Sequence, residues 1–389
     1  MIFPDRASER YRPLRIGIDA RLVTYRRGIG TYVHHLLHEF AQRADAHEFV
    51  LYVDDARALA ELPSGDRFRA VLLRPGFYPF WEQVLLRSRV AVDSLDVLHC
   101  PANTGPVMGL GATRLVLTIH DVMFLMPLEV LPASPSAYQR LGRLYRRTVA
   151  PRCAARADRI ITVSERSATD IGQYLDLGAV PVDVIPEAAS ADCRVIADPA
   201  EVSRHCVRLG VRRPFVLAPG AVDPRKNTAR VIAAFAATRA RLGEDAQLVV
   251  FGLTPAGIKH FAGIAAGLGI TDRVCLLTFV SDEELVGLYN GCLAFLYPSL
   301  YEGFGLPVLE AMACGASVAT SHAGSLPEIA GDAAEYADPL DVQSIGDALL
   351  RASAARGEER RAAGLARARD FSWRSTAELT IRCYEAAAG

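Results

Sequence analysis

The sequence predicts an α/β protein built from two Rossmann-like domains. Three observations carry that prediction. Short apolar runs alternate with amphipathic or Ala-rich stretches along both halves of the chain, the pattern of βαβ units and parallel sheets. At roughly 150 residues per domain, 389 residues suit two or three domains with cores of their own, and two is our reading. Glycine-rich turns follow several of the apolar runs, at the carboxyl edge where an open α/β sheet binds its ligands.

Composition narrows the class further. A net charge of −1 gives no basic footprint for nucleic acid, so no polynucleotide partner is expected. The eight cysteines are scattered, without a Cys-x-x-Cys pair, and read as reduced core thiols. MIFPDRASERYR carries charge throughout and lacks an apolar signal core, and no later run is apolar for long enough to span a bilayer. A cytoplasmic protein is the expectation.

Taken in order, Arg15–Ala20 is a first strand, and the loop through Gly28 and Gly30 leads into an amphipathic helix over about Thr31–Ala44. A dinucleotide fingerprint is not met, since the loop is long and Val33 stands where the third glycine belongs. Arg26 and Arg27 either attract anions or form a solvated loop. Strands follow at Phe49–Val53, Ala70–Leu73 and Val97–His99, with a helix over Phe80–Ser88 before the last. Strand Arg114–Ile119 sets His120 and Asp121 at the sheet's carboxyl edge; Asp121 alternatively caps the next turn. The helical stretch 134–159 carries seven arginines interleaved with Leu and Tyr. These suit anionic lipid headgroups or a lipid-diphosphate acceptor, and equally a solvated face, the simpler account in a near-neutral chain. Strand Arg159–Val163, a helix opened by Ser164-Glu165, strand Val182–Pro186 and a linker over Asp192–Glu201 complete the first half.

The second half repeats the alternation. Strand Pro214–Ala218 leads through PGAVDPRKN to an Ala-rich helix from Thr228, with Asn227 as its expected N-cap and Arg225 and Lys226 at its N-terminus. Strand Gln247–Gly252, helix Pro255–Leu268 and strand Arg273–Leu276 follow. After Phe279 and Val280, Ser281 and Glu284 have capping-box spacing, and Ser325 with Glu328 repeats it. Between these lies the stretch that carries the chemistry. A buried strand over Cys292–Tyr297 puts Glu302 at its C-terminal edge, then come Gly303, Gly305 and Pro307, then an apolar helix bearing Glu310, seven residues intervening between the two carboxylates. The N–H groups of Phe304, Gly305 and Leu306 at that helix start suit a diphosphate. The tail DFSWRSTAELTIRCYEAAA is an amphipathic helix.

YEGFGLPVLEAMACG, followed by SLPEIAG and ADPLD, resembles the donor-binding signature of the family 4, retaining, GT-B glycosyltransferases. His120-Asp121, ITVSE, VIPE and the Gly28/Gly30 loop are similar to the same pattern, which extends over nearly the whole chain. The resemblance implies two Rossmann-like domains facing across a cleft: residues 1–200 binding the acceptor, 201–370 binding a nucleotide-sugar donor, and 371–389 a helix crossing back to the first domain. It implies that Glu302 contacts the donor sugar, Glu310 holds the ribose hydroxyls, and Arg225 and Lys226 grip the diphosphate. His120 approaches the sugar and acceptor, Gly28 and Gly30 the donor phosphate and acceptor edge, and backbone at Val280 and Ser281 the base. The acceptor is expected to be a sugar or lipid-linked species. Segments such as GIGTYVHHLL and IHDVMFLMPLE look most like members that build bacterial polysaccharides, where GDP-mannose is a common donor; UDP- and dTDP-sugars are the alternatives. Nucleotide-sugar epimerases share the fold without the EGFGLPVLEAM run, and a non-catalytic sugar-nucleotide sensor is a third reading. The sequence has no Asp-x-Asp, no His/Cys cluster at ligand spacing and no G-x-S-x-G elbow, so neither a metal nor another cofactor is expected.

Overall fold

Ile16, Gly17 and Ile18 are covered on both faces, which is why RIGID forms a strand in the interior of a sheet and why four of its five residues are buried. The computed structural model describes residues 12–25, 27–74, 76–128, 137–354 and 357–389. The chain divides into unit 1, Met1–Leu125, Leu141–Glu187 and Ser372–Gly389, and unit 2, Met126–Arg140 and Ala188–Phe371.

Unit 1 holds strands β1 (Arg15–Asp19), β2 (Glu48–Val53), β3 (Phe68–Leu72), β4 (Val97–Cys100), β5 (Arg114–Thr118), β6 (Arg159–Thr162) and β7 (Val182–Val184). They pair in the order β3-β2-β1-β4-β5-β6-β7, every neighbour parallel. Helix α1 (Ile29–Gln42) turns Tyr32, Val33, Leu36, Leu37 and Phe40 inward, the spacing of one helical face. The helix expected over Phe80–Ser88 is longer: α2 (Tyr78–Phe80) and α3 (Arg87–Asp93) flank a π-helical segment, Trp81–Leu86. The basic stretch forms α4 (Ala137–Ala154), its first expected residues, 134–136, lying outside the described ones. Ser164 then caps α5 (Glu165–Tyr174) by accepting from Ser167 N–H at 3.0 Å.

Unit 2 contains α6 (Pro199–Arg208), β8 (Phe215–Pro219), α7 (Thr228–Leu242), β9 (Gln247–Phe251), α8 (Pro255–Gly267), β10 (Val274–Leu276), α9 (Asp282–Gly291), β11 (Ala294–Tyr297), α10 (Leu306–Ala313), β12 (Val318–Ser321), α11 (Leu326–Ala330), β13 (Ala334–Ala337), α12 (Val342–Ser353) and α13 (Gly357–Arg369). Its parallel sheet runs β10-β9-β8-β11-β12-β13. Alternate strand residues feed two cores. Phe215, Leu217, Phe295 and Tyr297 pack with Val308 and Met312, while Val216, Ala218, Leu248 and Leu296 pack with Ile232, Phe235 and Leu349.

The chain leaves unit 1 after Glu187, ahead of the linker expected at Asp192–Glu201, and returns at Ser372. The last helix, α14 (Trp373–Ala388), then packs within unit 1, as the resemblance implied. Thr376 Oγ1 donates to Pro186 O at 2.6 Å, and Tyr384 OH meets His99 Nδ1 at 2.7 Å. Burial, assisted by nearby His120, pushes His99 down to about 3, so it is a neutral core residue. Among the described residues, no helix is long and apolar enough to cross a membrane.

Candidate functional site

In both sheets the strand order reverses direction from one pair, β1/β4 and β8/β11, and it is beside such a pair that an open α/β sheet leaves a crevice. In unit 2 the chain leaving β8 is folded there by its own side chains. Asp223 accepts from Arg225 N–H at 3.0 Å and pairs with its guanidinium at 2.9 Å, making a tight turn over Pro224–Lys226. Asn227 stands in the left-handed region at φ 57° before α7. Its side chain makes no cap bond, contrary to expectation. Its Nδ2 donates instead to Pro298 O at 2.9 Å and Pro339 O at 2.6 Å, so the amide ties the turn to the exits of β11 and β13. Leu300 N–H donates to Arg225 O at 2.8 Å and completes the tie.

This places Lys226 over β11's end. Its Nζ donates to Glu302 Oε1 at 2.8 Å and Tyr297 OH at 2.6 Å. Burial opposes ionisation of Glu302, but the charges of Lys226 and Arg225, with hydrogen bonds from Lys226 and Ser299, win and hold its carboxyl below the usual range. Tyr297 is pushed well up by burial and by Glu302, and stays a neutral hydroxyl. Gly305 adopts φ 113° at the start of α10, and Pro307 lies in its first turn. The first N–H groups of that helix have no acceptor inside it, so Phe304, Gly305 and Leu306 form its positive end. One turn on, Glu310 Oε2 accepts from Tyr289 OH at 3.1 Å.

The capping box at Ser281 is present, with Ser281 Oγ accepting from Glu284 N–H at 3.3 Å and Glu284 Oε2 from Ser281 N–H at 3.1 Å. Since Ser281 O also accepts from Leu285 N–H, both its peptide groups serve the helix, and buried Val280 is the neighbour left outside the cap. The second expected box fails. Ser325 makes no cap bond to α11, because its hydroxyl reaches Phe304 O at 2.6 Å and Glu302 O at 3.1 Å.

The remaining expected residues belong to unit 1. Gly30 N–H donates to Arg27 O at 3.2 Å, and a Cβ there would lie 1.7 Å from Tyr25 O, so close backbone packing accounts for that glycine. Gly28 has φ 54° and precedes α1, while Arg26 lies outside the described residues. His120 is buried with both ring nitrogens engaged: Nδ1 meets Glu187 Oε1 at 3.0 Å and Nε2 meets Pro101 O at 3.0 Å. Asp121 Oδ1 accepts from Met123 N–H at 3.0 Å, the turn-capping alternative. Sequence reading missed Tyr297, Ser299, Ser325 and Glu187. VIPE offers only a pattern, Ser299 carries no spacing signal, and the spacing of Ser325 points to a cap, whereas the partners of both serines arrive from other loops. Among the described residues, no three His, Cys, Asp or Glu side chains converge as a metal site.

Comparison with known proteins agrees with this architecture. Residues 203–369 match the model of glycosyl transferases group 1, and residues 26–192 that of glycosyltransferase family 4. The chain is 34% identical over 231 residues to the serotype-specific mannosyltransferase WbdA of Escherichia coli, covering 58% of this chain but only 28% of that longer protein. With O-antigen chain mannosyltransferase B of Escherichia coli it shares 31% identity over 275 residues, 70% of either chain. Among solved structures, sucrose-phosphate synthase from Thermosynechococcus elongatus superposes with a TM-score of 0.73 over 95% of this chain and 98% of its own, at 20% identity. Two parallel-sheet Rossmann-like units, the matched models and a relative shared over most of both lengths together show that the chain belongs to the family 4 glycosyltransferases of GT-B fold.

Proposed function

We propose that this protein moves a hexose, mannose in our reading, from a nucleoside-diphosphate sugar to an acceptor hydroxyl with retention at the anomeric carbon. The observation that carries the reading is the Lys226–Glu302–Tyr297 constellation beside the N-terminus of α10. Lys226, Arg225 and the helix end supply positive charge for a diphosphate, Glu302 accepts from a sugar hydroxyl, and Glu310 accepts from the ribose. In the transfer, the bond from the anomeric carbon to the phosphate oxygen breaks and a bond to the acceptor oxygen forms on the same face. The acceptor's proton passes to the departing phosphate oxygen, and the charge that develops there is stabilised by these fixed groups. His120 would serve the sugar by exchanging the Pro101 carbonyl on Nε2 for a sugar hydroxyl. Mannose is favoured by the two mannosyltransferases named above, and GDP follows from the resemblance to polysaccharide-building members, where GDP-mannose is a common donor.

The test is a donor panel read by nucleoside diphosphate release in EDTA, with the product's anomeric configuration read by NMR. GDP-mannose turnover, undiminished by EDTA, is expected. In thermal-shift titration, GDP at ~100 times its dissociation constant adds about 2.7 kcal/mol to stability. Stabilisation by UDP or dTDP alone would remove the mannose assignment, and turnover without acceptor to an epimerised nucleotide sugar would remove the transferase reading.

The acceptor reading includes a lipid-linked species met at an anionic membrane surface on the cytoplasmic side. Helix α4 carries arginines and no acidic residue, and its Leu141 and Leu144 are 68% and 60% exposed. Co-sedimentation with anionic but not neutral vesicles, weakened by salt, is the expected result; equal binding to both vesicle types sinks this part.

A further inference from the structure

Three serines and a glycine surround Glu302 without belonging to the chemistry just described. Ser299 Oγ has one proton and three acceptors, Glu302 Oε1 at 2.5 Å, Arg225 O at 2.9 Å and Tyr301 O at 3.4 Å. The carboxylate is both nearest and charged, so the proton goes there. Oε1 thus receives Ser299 and Lys226 from two different loops, which fixes the plane of the carboxylate. Oε2 accepts no hydrogen bond among the described residues. Ser321 Oγ donates to Ser299 O at 2.6 Å and anchors that serine to the end of β12.

The backbone of the same turn is clamped from the loop after β12. Ser325 donates its hydroxyl to Phe304 O at 2.6 Å and its N–H to Glu302 O at 3.2 Å. Gly324, at φ 59°, presses so closely that a Cβ would stand 2.5 Å from Glu302 O and 2.8 Å from Glu302 N. No larger residue fits there without moving the turn.

We propose that Ser299 and Ser325 are positioning residues for Glu302. Ser299 fixes Oε1 so that Oε2 alone meets a hydroxyl of the donor sugar, and Ser325, backed by Gly324, holds the turn in place. This rests on the reading of Glu302 as the sugar-binding carboxylate. The other ionisable groups around it are Lys226, Arg225 and Asp223 from the turn before α7, Tyr297 from β11 and Glu310 from α10. The loop after β12 brings serines, and its His322 stacks on Tyr336 at 4.9 Å.

The experiment uses the full chain with Ser299→Ala, Ser299→Thr, Ser325→Ala and Ser325→Thr. Donor kcat and KM are measured across pH, GDP binding by calorimetry, and amide exchange without ligand. In Ser299→Ala the loss of one charge-assisted bond lowers kcat/KM by about tenfold and moves its acid limb to higher pH, with GDP affinity within about twofold; Ser299→Thr restores most of the loss. Ser325→Ala speeds exchange of the 302–305 amides by about tenfold and leaves β8 and β9 unchanged, and Ser325→Thr reverses it. A Ser299→Ala enzyme with the wild-type pH profile and kcat/KM, or a Ser325→Ala protein with unchanged exchange at 302–305, overturns the proposal. If wild-type protein turns over no nucleotide sugar while Ser325→Ala still loosens the turn, the functional reading fails and the clamp stands.

Discussion

Lys226 answers two oxygens at once, the Glu302 carboxylate and the neutral Tyr297 hydroxyl, and without it a largely buried carboxylate keeps only Ser299 and the more distant Arg225. Lys226→Ala should therefore lose on the order of 2 kcal/mol or more of transition-state stabilisation, read as kcat/KM. Because Glu302 and Glu310 meet different parts of the proposed donor, their alanine variants should separate in calorimetry. Glu310→Ala weakens binding of free GDP as well as donor, whereas Glu302→Ala spares GDP; the reverse order would exchange the two roles. The charged members of this site were legible because Arg-Lys before a helix and two carboxylates astride a glycine turn are local patterns. Ser299 and Ser325 were not, since their meaning depends on carbonyls and a carboxylate brought in by Arg225, Glu302 and Phe304. Local spacing even misled at Ser325, where carbonyls from another turn outcompete the cap of a one-turn helix.

Elements were legible where burial on both faces forces a run of large apolar residues, as in β1, β2, β8 and β9. Strands β12 and β13 escaped notice because VATS and AEYA are small or polar, their place in the sheet being secured by pairing with β11 and with each other. Helix α13, GEERRAAGLARAR, has charge around most of its circumference and shows no clear apolar stripe. At α9 the local signal and the structure agree, and the consequence can be measured. Ser281→Ala removes the N-cap acceptor and the hydroxyl's bond to Glu284 Oε2, a loss of about 1 kcal/mol in folding stability. The peptide groups of Ser281 are bound into the helix start whatever its side chain, so preference among GDP, UDP and dTDP should stay unchanged. A variant that exchanged its nucleotide preference would show that the serine hydroxyl, and not the backbone, reads the base.

At the scale of the molecule, the chain's last helix belongs with its first unit, and this separates where stability and nucleotide binding reside. Helix α14 buries Trp373, Ala377, Thr380, Ile381 and Tyr384. Tyr384 covers Phe40 at 6.1 Å and bonds buried His99, and Trp373 lies over Tyr32 and His35. Each large apolar side chain returned to water costs about 1.5–3 kcal/mol. Three of them, with buried His99 Nδ1 deprived of the Tyr384 hydroxyl, approach the 5–15 kcal/mol that typically holds a domain together. Unit 2 closes its own two cores between Ala188 and Phe371 and contains Arg225, Lys226, the start of α10 and Glu310, the groups proposed for the diphosphate and ribose. A chain ended after Phe371 should accordingly lose the calorimetric transition of unit 1, with fast exchange throughout β1 and β4–β6. The transition of unit 2 and its stabilisation by GDP should persist. Intact cooperative melting of the shortened chain would show that α14 adds little to unit 1, and loss of GDP binding with unit 2 still folded would move the nucleotide site out of the residues assigned to it.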